Sequence, residues 1–124
     1  MTDDRAFPVV YAHDVSVTAA FYERLGFERH YQLPAEGEPG YVGLRRGSSE
    51  LGVVASTWPR EQYGAEMGAG VRFELFVYVA DVDALVGELR EEVALIREPA
   101  DMPWGERVAC LADPDGNPVT LAQV

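Results

Sequence analysis

The sequence predicts an α+β fold built as a duplicated βαβββ unit, and three observations carry that prediction. The first is an internal echo. Val9-Val10-Tyr11-Ala12-His13-Asp14-Val15 and Phe76-Val77-Tyr78-Val79-Ala80-Asp81-Val82 share one pattern at an offset of 67 residues. The second is that each echo is a β-rich run ending in Asp-Val that leads into a stretch of helical period. The third is that further strand signals follow each helical stretch. At 124 residues the chain is long enough for one domain, 1–124, with repeats at about 6–55 and 72–124.

In the first repeat Val17, Ala20, Phe21 and Leu25 recur at helical spacing, with Asp14 or Ser16 available as N-cap and Gly26 as a left-handed stop. Strands are expected at Glu28–Leu33, Tyr41–Arg45 and Leu51–Ala55, parted by turn residues from Pro34 to Gly40 and by Arg46-Gly47-Ser48. In the second repeat Val82, Leu85, Val86, Leu89 and Val93 form the apolar stripe behind Asp81 or Asp83. Strands are expected at Leu95–Arg97, Val108–Ala112 and Val119–Ala122. The last two are joined by Asp113-Pro114-Asp115-Gly116-Asn117-Pro118, residues that favour a tight turn. Ser56–Gly70, with Trp58, Pro59 and Tyr63, is too long for a tight turn and reads as a linker or pocket-edge loop.

Composition removes several classes of function. The net charge is −11, from 21 acidic residues against ten basic ones, all arginine. Such a surface repels phosphate backbones and anionic lipid, so neither nucleic acid nor membrane is an expected partner, and a cationic ligand is favoured. No run approaches the ~18 apolar residues of a membrane span. Met1-Thr2-Asp3-Asp4-Arg5 is acidic where a secretory signal is basic, and the single Cys110 has no internal disulfide partner. A cytoplasmic location is the expectation. Cys110 has no adjacent histidine and reads as a buried packing thiol. Gly64, Gly68 and Gly70 follow no strand–turn–helix pattern of a phosphate loop.

Asp14-Val15, Phe21-Tyr22 and Leu25-Gly26-Phe27 resemble the first signature of the vicinal oxygen chelate superfamily. Its second signature resembles Pro103-Trp104-Gly105, Arg107 and Asp113-Pro114-Asp115-Gly116-Asn117. The resemblance spans nearly the whole chain and implies two βαβββ repeats forming a concave mixed sheet with the helices on its outer face. The family holds metal-dependent lyases, isomerases and dioxygenases together with metal-free proteins of the bleomycin-resistance type, so the fold alone does not give the function.

The resemblance also marks four positions where relatives bind a divalent metal. Phe7, Val53, Glu74 and Thr120 stand there. One carboxylate is too few donors for a hard or borderline cation, so no metal and no cofactor are expected. His13, at a strand-to-helix corner, and His30, in a strand, read as surface residues. Strand alternation puts Glu74, Phe76 and Tyr78 on one face, which the resemblance makes the pocket side. Glu74 there pairs with an arginine, anchors a ligand or acts as a base.

The expected ligand-binding residues are Phe7, Tyr11, Tyr41, Glu74, Phe76, Tyr78, Trp104 and Thr120. Tyr41 and Trp104 match the positions between which metal-free relatives stack a planar ligand. The implied function is sequestration of a planar small molecule without chemistry, by a homodimer whose two copies complete two shared pockets. The alternative is a lyase or isomerase using Glu74 as base or metal ligand.

Overall fold

The structure is a computed structural model that describes residues 5–124. The chain divides into two compact units, Met1–Met67 and Gly68–Val124.

The N-terminal unit contains β1 (Val9–Ala12), α1 (Val15–Glu23), β2 (Glu28–Leu33), β3 (Tyr41–Arg46), β4 (Ser49–Ala55) and α2 (Trp58–Tyr63). Its sheet runs β1-β4-β3-β2, with β1 parallel to β4 and the other pairs antiparallel. The parallel pair is made possible because α1, β2 and β3 lie between β1 and β4 in sequence. Asp14 is the cap of α1: its carboxylate accepts from the Val17 amide at 3.1 Å, satisfying one of the helix's orphan donors. Gly26, at φ +98°, turns the chain out of the helix.

The buried face of α1 differs from the expected stripe. Val15, Thr18, Ala19, Phe21 and Tyr22 are buried, whereas Val17 is 51% exposed and Ala20 faces solvent. Tyr22 sets the phase: it is fully buried and meets Phe21 and Phe27 edge-on at 5.0 and 6.0 Å. Val10, Val42, Leu44, Leu51 and Val53 supply the sheet side of this core.

The C-terminal unit repeats the plan with β5 (Leu75–Tyr78), α3 (Val82–Leu89), β6 (Ala94–Asp101), β7 (Arg107–Ala112) and β8 (Pro118–Gln123). The sheet order is β5-β8-β7-β6, again with one parallel pair, β5 with β8. Asp81 is the cap, accepting from the Ala84 amide at 3.0 Å, and Asp83 does other work. Val82, Val86 and Leu89 are buried against Val77, Ala109, Leu111, Val119 and Leu121. The architecture is the expected α+β one: two four-stranded mixed sheets, each with a packed helix, in a βαβββ repeat.

Three elements depart from expectation. Ser56–Gly70 holds a short helix, α2, opened by Pro59 in its first turn and closed by Gly64 at φ +69°. β6 runs for eight residues where three were expected, because bulges between Leu95 and Arg97 and between Arg97 and Ala100 accommodate Pro99 on an edge strand. β2 carries a matching bulge between Arg29 and Tyr31. No helix among the described residues is long and apolar enough to cross a membrane.

Candidate functional site

Each sheet has one face packed on its helix and one open face, and strand alternation decides which side chains reach the open one. In the N-terminal unit Val10 and Val53 point into the core, while Phe7, Val9, Tyr41 and Val54 line an open cleft of about 560 Å³ with Leu33 and Trp58. Tyr11 is half-buried and is not part of that lining. The sheet floor beneath Tyr41 has no side chain. A Cβ added at Gly52 would lie 2.8 Å from the Tyr41 hydroxyl, so the glycine is what lets the phenol lie flat on the backbone. Burial first, and then the Glu50 carboxylate, raise the pKa of the Tyr41 phenol.

The β2 bulge changes the reading of His30. Arg29 pairs with Leu44 and Tyr31 with Gly43, which leaves His30 as the extra residue. Both His30 and Tyr31 therefore line one small cleft of about 270 Å³, with Arg5, Tyr41 and Glu50. Within it Arg5 makes a two-point ion pair with Glu50, at 2.9 and 2.6 Å, and lies 5.6 Å from the centre of the Phe7 ring. That pair holds the Glu50 carboxyl below the usual carboxylate range. His30 is exposed, as expected, and also lines this cleft. His13 is exposed at the strand-to-helix corner.

In the C-terminal unit the open face forms a second cleft, of about 310 Å³. Glu74, Phe76, Trp104 and Thr120 line it, joined by Arg97 and Cys110. Phe76, Thr120, Cys110 and Arg97 form one row across β5, β8, β7 and β6, each the register partner of the next. Ile96 and Met102 add apolar wall. Cys110 is half-buried on this face, not a packing thiol inside the core, because the register turns Ala109 and Leu111 inward instead. The thiol's only hydrogen bond among the described residues is a long one, 3.7 Å to the Leu111 carbonyl.

Glu74 and Thr120 meet. The buried Thr120 hydroxyl donates to Glu74 Oε2 at 2.9 Å, so the carboxylate's partner is a hydroxyl and not an arginine. The approach to Glu74 is fixed from behind. Asn117, fully buried, accepts the Arg72 amide on Oδ1 at 3.1 Å. Its own backbone and side-chain amides donate to the Asp113 carboxylate, which also accepts the Asp115 amide at 2.9 Å. The Asp113–Asn117 turn is therefore a scaffold for the strand that delivers Glu74.

Trp104 stands on the turn after β6, 62% exposed, where Gly105 at φ +98° and a Gly105 amide bond to the Met102 carbonyl close the chain reversal. Its indole Nε1 donates to Glu106 Oε1 at 2.8 Å, and the Tyr78 hydroxyl donates to Glu106 Oε2 at the same distance. Glu106 thereby ties the tryptophan to β5. The same carboxylate raises the pKa of the Tyr78 phenol, chiefly through that hydrogen bond. Tyr78 shares the Phe76 face but lies outside the cleft lining. Arg107 pairs with Asp83 at 2.6 and 3.0 Å and with Asp101 at 3.1 Å. It fastens β7 to the first turn of α3 and lowers the pKa of the Asp83 carboxyl.

The donor set does not fit a divalent cation. Among the described residues no group of three or more His, Cys, Asp or Glu side chains converges. The repeat mate of Thr120 also needs correcting. Phe76 pairs with Thr120 and Val9 with Gly52, so the equivalent position is Gly52, and Val53 corresponds to the buried Leu121. A single offset of 67 fails here because the last hairpin is one residue longer in the second repeat, where Cys110 pairs with Thr120 as Gly43 pairs with Gly52. Neither Gly52 nor Val53 offers a donor.

A profile of the glyoxalase/bleomycin resistance protein/dioxygenase superfamily matches residues 6–121. The chain belongs to this superfamily. No curated protein matches it. Among solved structures, a bleomycin resistance determinant encoded on the transposon Tn5 is 26% identical, with 98% of each chain covered and a TM-score of 0.63. A glyoxalase/bleomycin resistance protein/dioxygenase family enzyme from Burkholderia phytofirmans PsJN is 24% identical over 95% of this chain and 96% of its own, at a TM-score of 0.78. The hypothetical protein SA1046 from S. aureus is 19% identical over 100% and 96%, at 0.80. The last two show the fold alone. Of the motif residues, Asp14 caps a helix, and Asp113 and Asn117 build a turn.

Proposed function

We propose that the chain binds a planar small molecule without transforming it, in the manner of the superfamily's metal-free, bleomycin-resistance-type members. The observation that carries this reading is the C-terminal cleft. There Glu74, at a metal-ligand position of the family, is bonded to Thr120 and shares the cleft with Phe76, Ile96, Met102 and Trp104, and with Cys110 as the one further thiol or carboxylate. Apolar clefts with a few placed polar groups are typical small-molecule sites. Trp104 is the stacking surface, held in orientation by Glu106. Phe7, Tyr41 and Trp58 offer a second aromatic surface in the N-terminal cleft. The likeness to the Tn5 bleomycin resistance determinant supports a binding role, and the net charge of −11 favours a ligand that carries positive charge.

The test is a thermal-shift screen of planar aromatic compounds, cationic and neutral, against purified protein, followed by mass spectrometry of the recovered ligand. Saturable binding with the compound returned intact is the expected result. Turnover would replace this reading with a lyase or isomerase in which Glu74 acts as base.

A further inference from the structure

We infer that the C-terminal cleft selects an amphoteric ligand, one with a cationic group at one end and an anionic group at the other of a flat apolar body. The inference rests on the binding reading above and specifies the ligand class for that cleft. Two charged side chains of opposite sign line it, Glu74 and Arg97, and they do not pair with each other. Glu74 precedes β5 at one edge of the sheet, and Arg97 lies on β6 at the other, with β8 and β7 between them. Adjacent strands are ~4.8 Å apart, so β5 and β6 are separated by roughly 14 Å, too far for the two side chains to meet without leaving the cleft. The bulge at Ile96 is what brings Arg97 to this face: it places Ile96 and Arg97 side by side on the cleft wall.

Arg97 is an exposed arginine that lines the cleft and has no partner among the described residues. Five of the ten arginines sit in ion pairs with carboxylates among the described residues. Arg5 is bound by Glu50, Arg29 by Glu23, Arg60 by Glu66, Arg90 by Glu98, and Arg107 by Asp83 and Asp101. Arg97 has neither ion pair nor side-chain hydrogen bond among the described residues. At the other pole Glu74 Oε2 is taken by Thr120, and Oε1 has no partner among the described residues. The cleft therefore presents a guanidinium suited to a carboxylate or other planar anion and a carboxylate oxygen suited to an ammonium or amidinium. Between them lies an apolar, aromatic stretch that fits a ring system. A purely cationic ligand would leave Arg97 facing its like charge or empty.

The experiment uses the full chain and four probes built on biphenyl: the neutral hydrocarbon, its aminomethyl derivative, its carboxylate, and the rod carrying both groups at opposite ends. Affinities are read by titration calorimetry in low salt for the native protein, Arg97→Gln and Glu74→Gln. Thermal melting checks that both variants fold. The rod with both charges is expected to bind the native protein about tenfold or more tightly than either singly charged probe. Arg97→Gln should remove the advantage of the carboxylate and leave the aminomethyl probe unchanged, and Glu74→Gln should do the converse. Equal affinity for all four probes would overturn the amphoteric inference while leaving a general binding role standing. Binding of none of the four, the neutral hydrocarbon included, would overturn both.

Discussion

Glu106 is the residue whose role the sequence least announces, since it fills the unspecified position between Pro103-Trp104-Gly105 and Arg107. Its two carboxylate oxygens receive the Trp104 indole and the Tyr78 hydroxyl. Glu106→Gln should therefore release the upward hold on the Tyr78 phenol, and the Tyr78 titration, followed by ultraviolet difference absorbance, should move down toward the ordinary tyrosine value. The linkage has a definite sign. A raised phenol pKa stabilises the fold below the unfolded value of about 10, and that contribution is lost as pH climbs through the higher folded value. The native protein should thus be more resistant than Glu106→Gln near neutral pH, with the gap closing in strong alkali. An unmoved Tyr78 titration would mean that the hydrogen bond is not held in solution. The motif singles out Trp104 as a candidate; the carboxylate bonded to it was not legible, because a lone Glu beside an Arg carries no pattern.

At the scale of elements, the helices and their caps were readable, since Asp14 and Asp81 stand where a side-chain acceptor meets a free helical amide. The bulges were not. Strict alternation assigns faces by parity, and an extra residue in β2 or β6 resets the parity beyond it. Ile96 and Arg97 were overlooked on the C-terminal cleft wall for that one reason. The turn at Asp113–Asn117 was legible as a turn, but its use as a brace for the segment before β5 emerges only from the contact of Asn117 with the Arg72 amide. Asn117→Ala would take a partner from that part-buried amide and from the Asp113 carboxylate. It should destabilise the fold by about 1–3 kcal/mol, measured by urea unfolding. A change within a few tenths would show that the brace is dispensable.

At the scale of the whole molecule, duplication explains both the repeated sheet topology and its cost. Each sheet has an open face on which large apolar side chains stand exposed: Phe7, Val9, Tyr31 and Leu33 in one unit, and Phe76, Ile96 and Trp104 in the other. Surfaces of this kind are ordinarily covered. We propose that a second copy completes the clefts, leaving room for the ligand, in a closed, symmetric homodimer. Sedimentation at micromolar concentration should give twice the chain mass of 13.6 kDa, and a monomer there would refute it.

The proposed function has a planar ligand stack on Trp104 and dissociate from the protein unchanged. The most direct measurement is Trp104 fluorescence in a Trp58→Phe background, titrated with a planar aromatic ligand from the screen, beside Trp104→Ala assayed by calorimetry. The account predicts saturable quenching, an affinity about tenfold or more weaker in Trp104→Ala, and intact ligand recovered from the complex. Undiminished affinity in Trp104→Ala, or a chemically altered ligand, would contradict it.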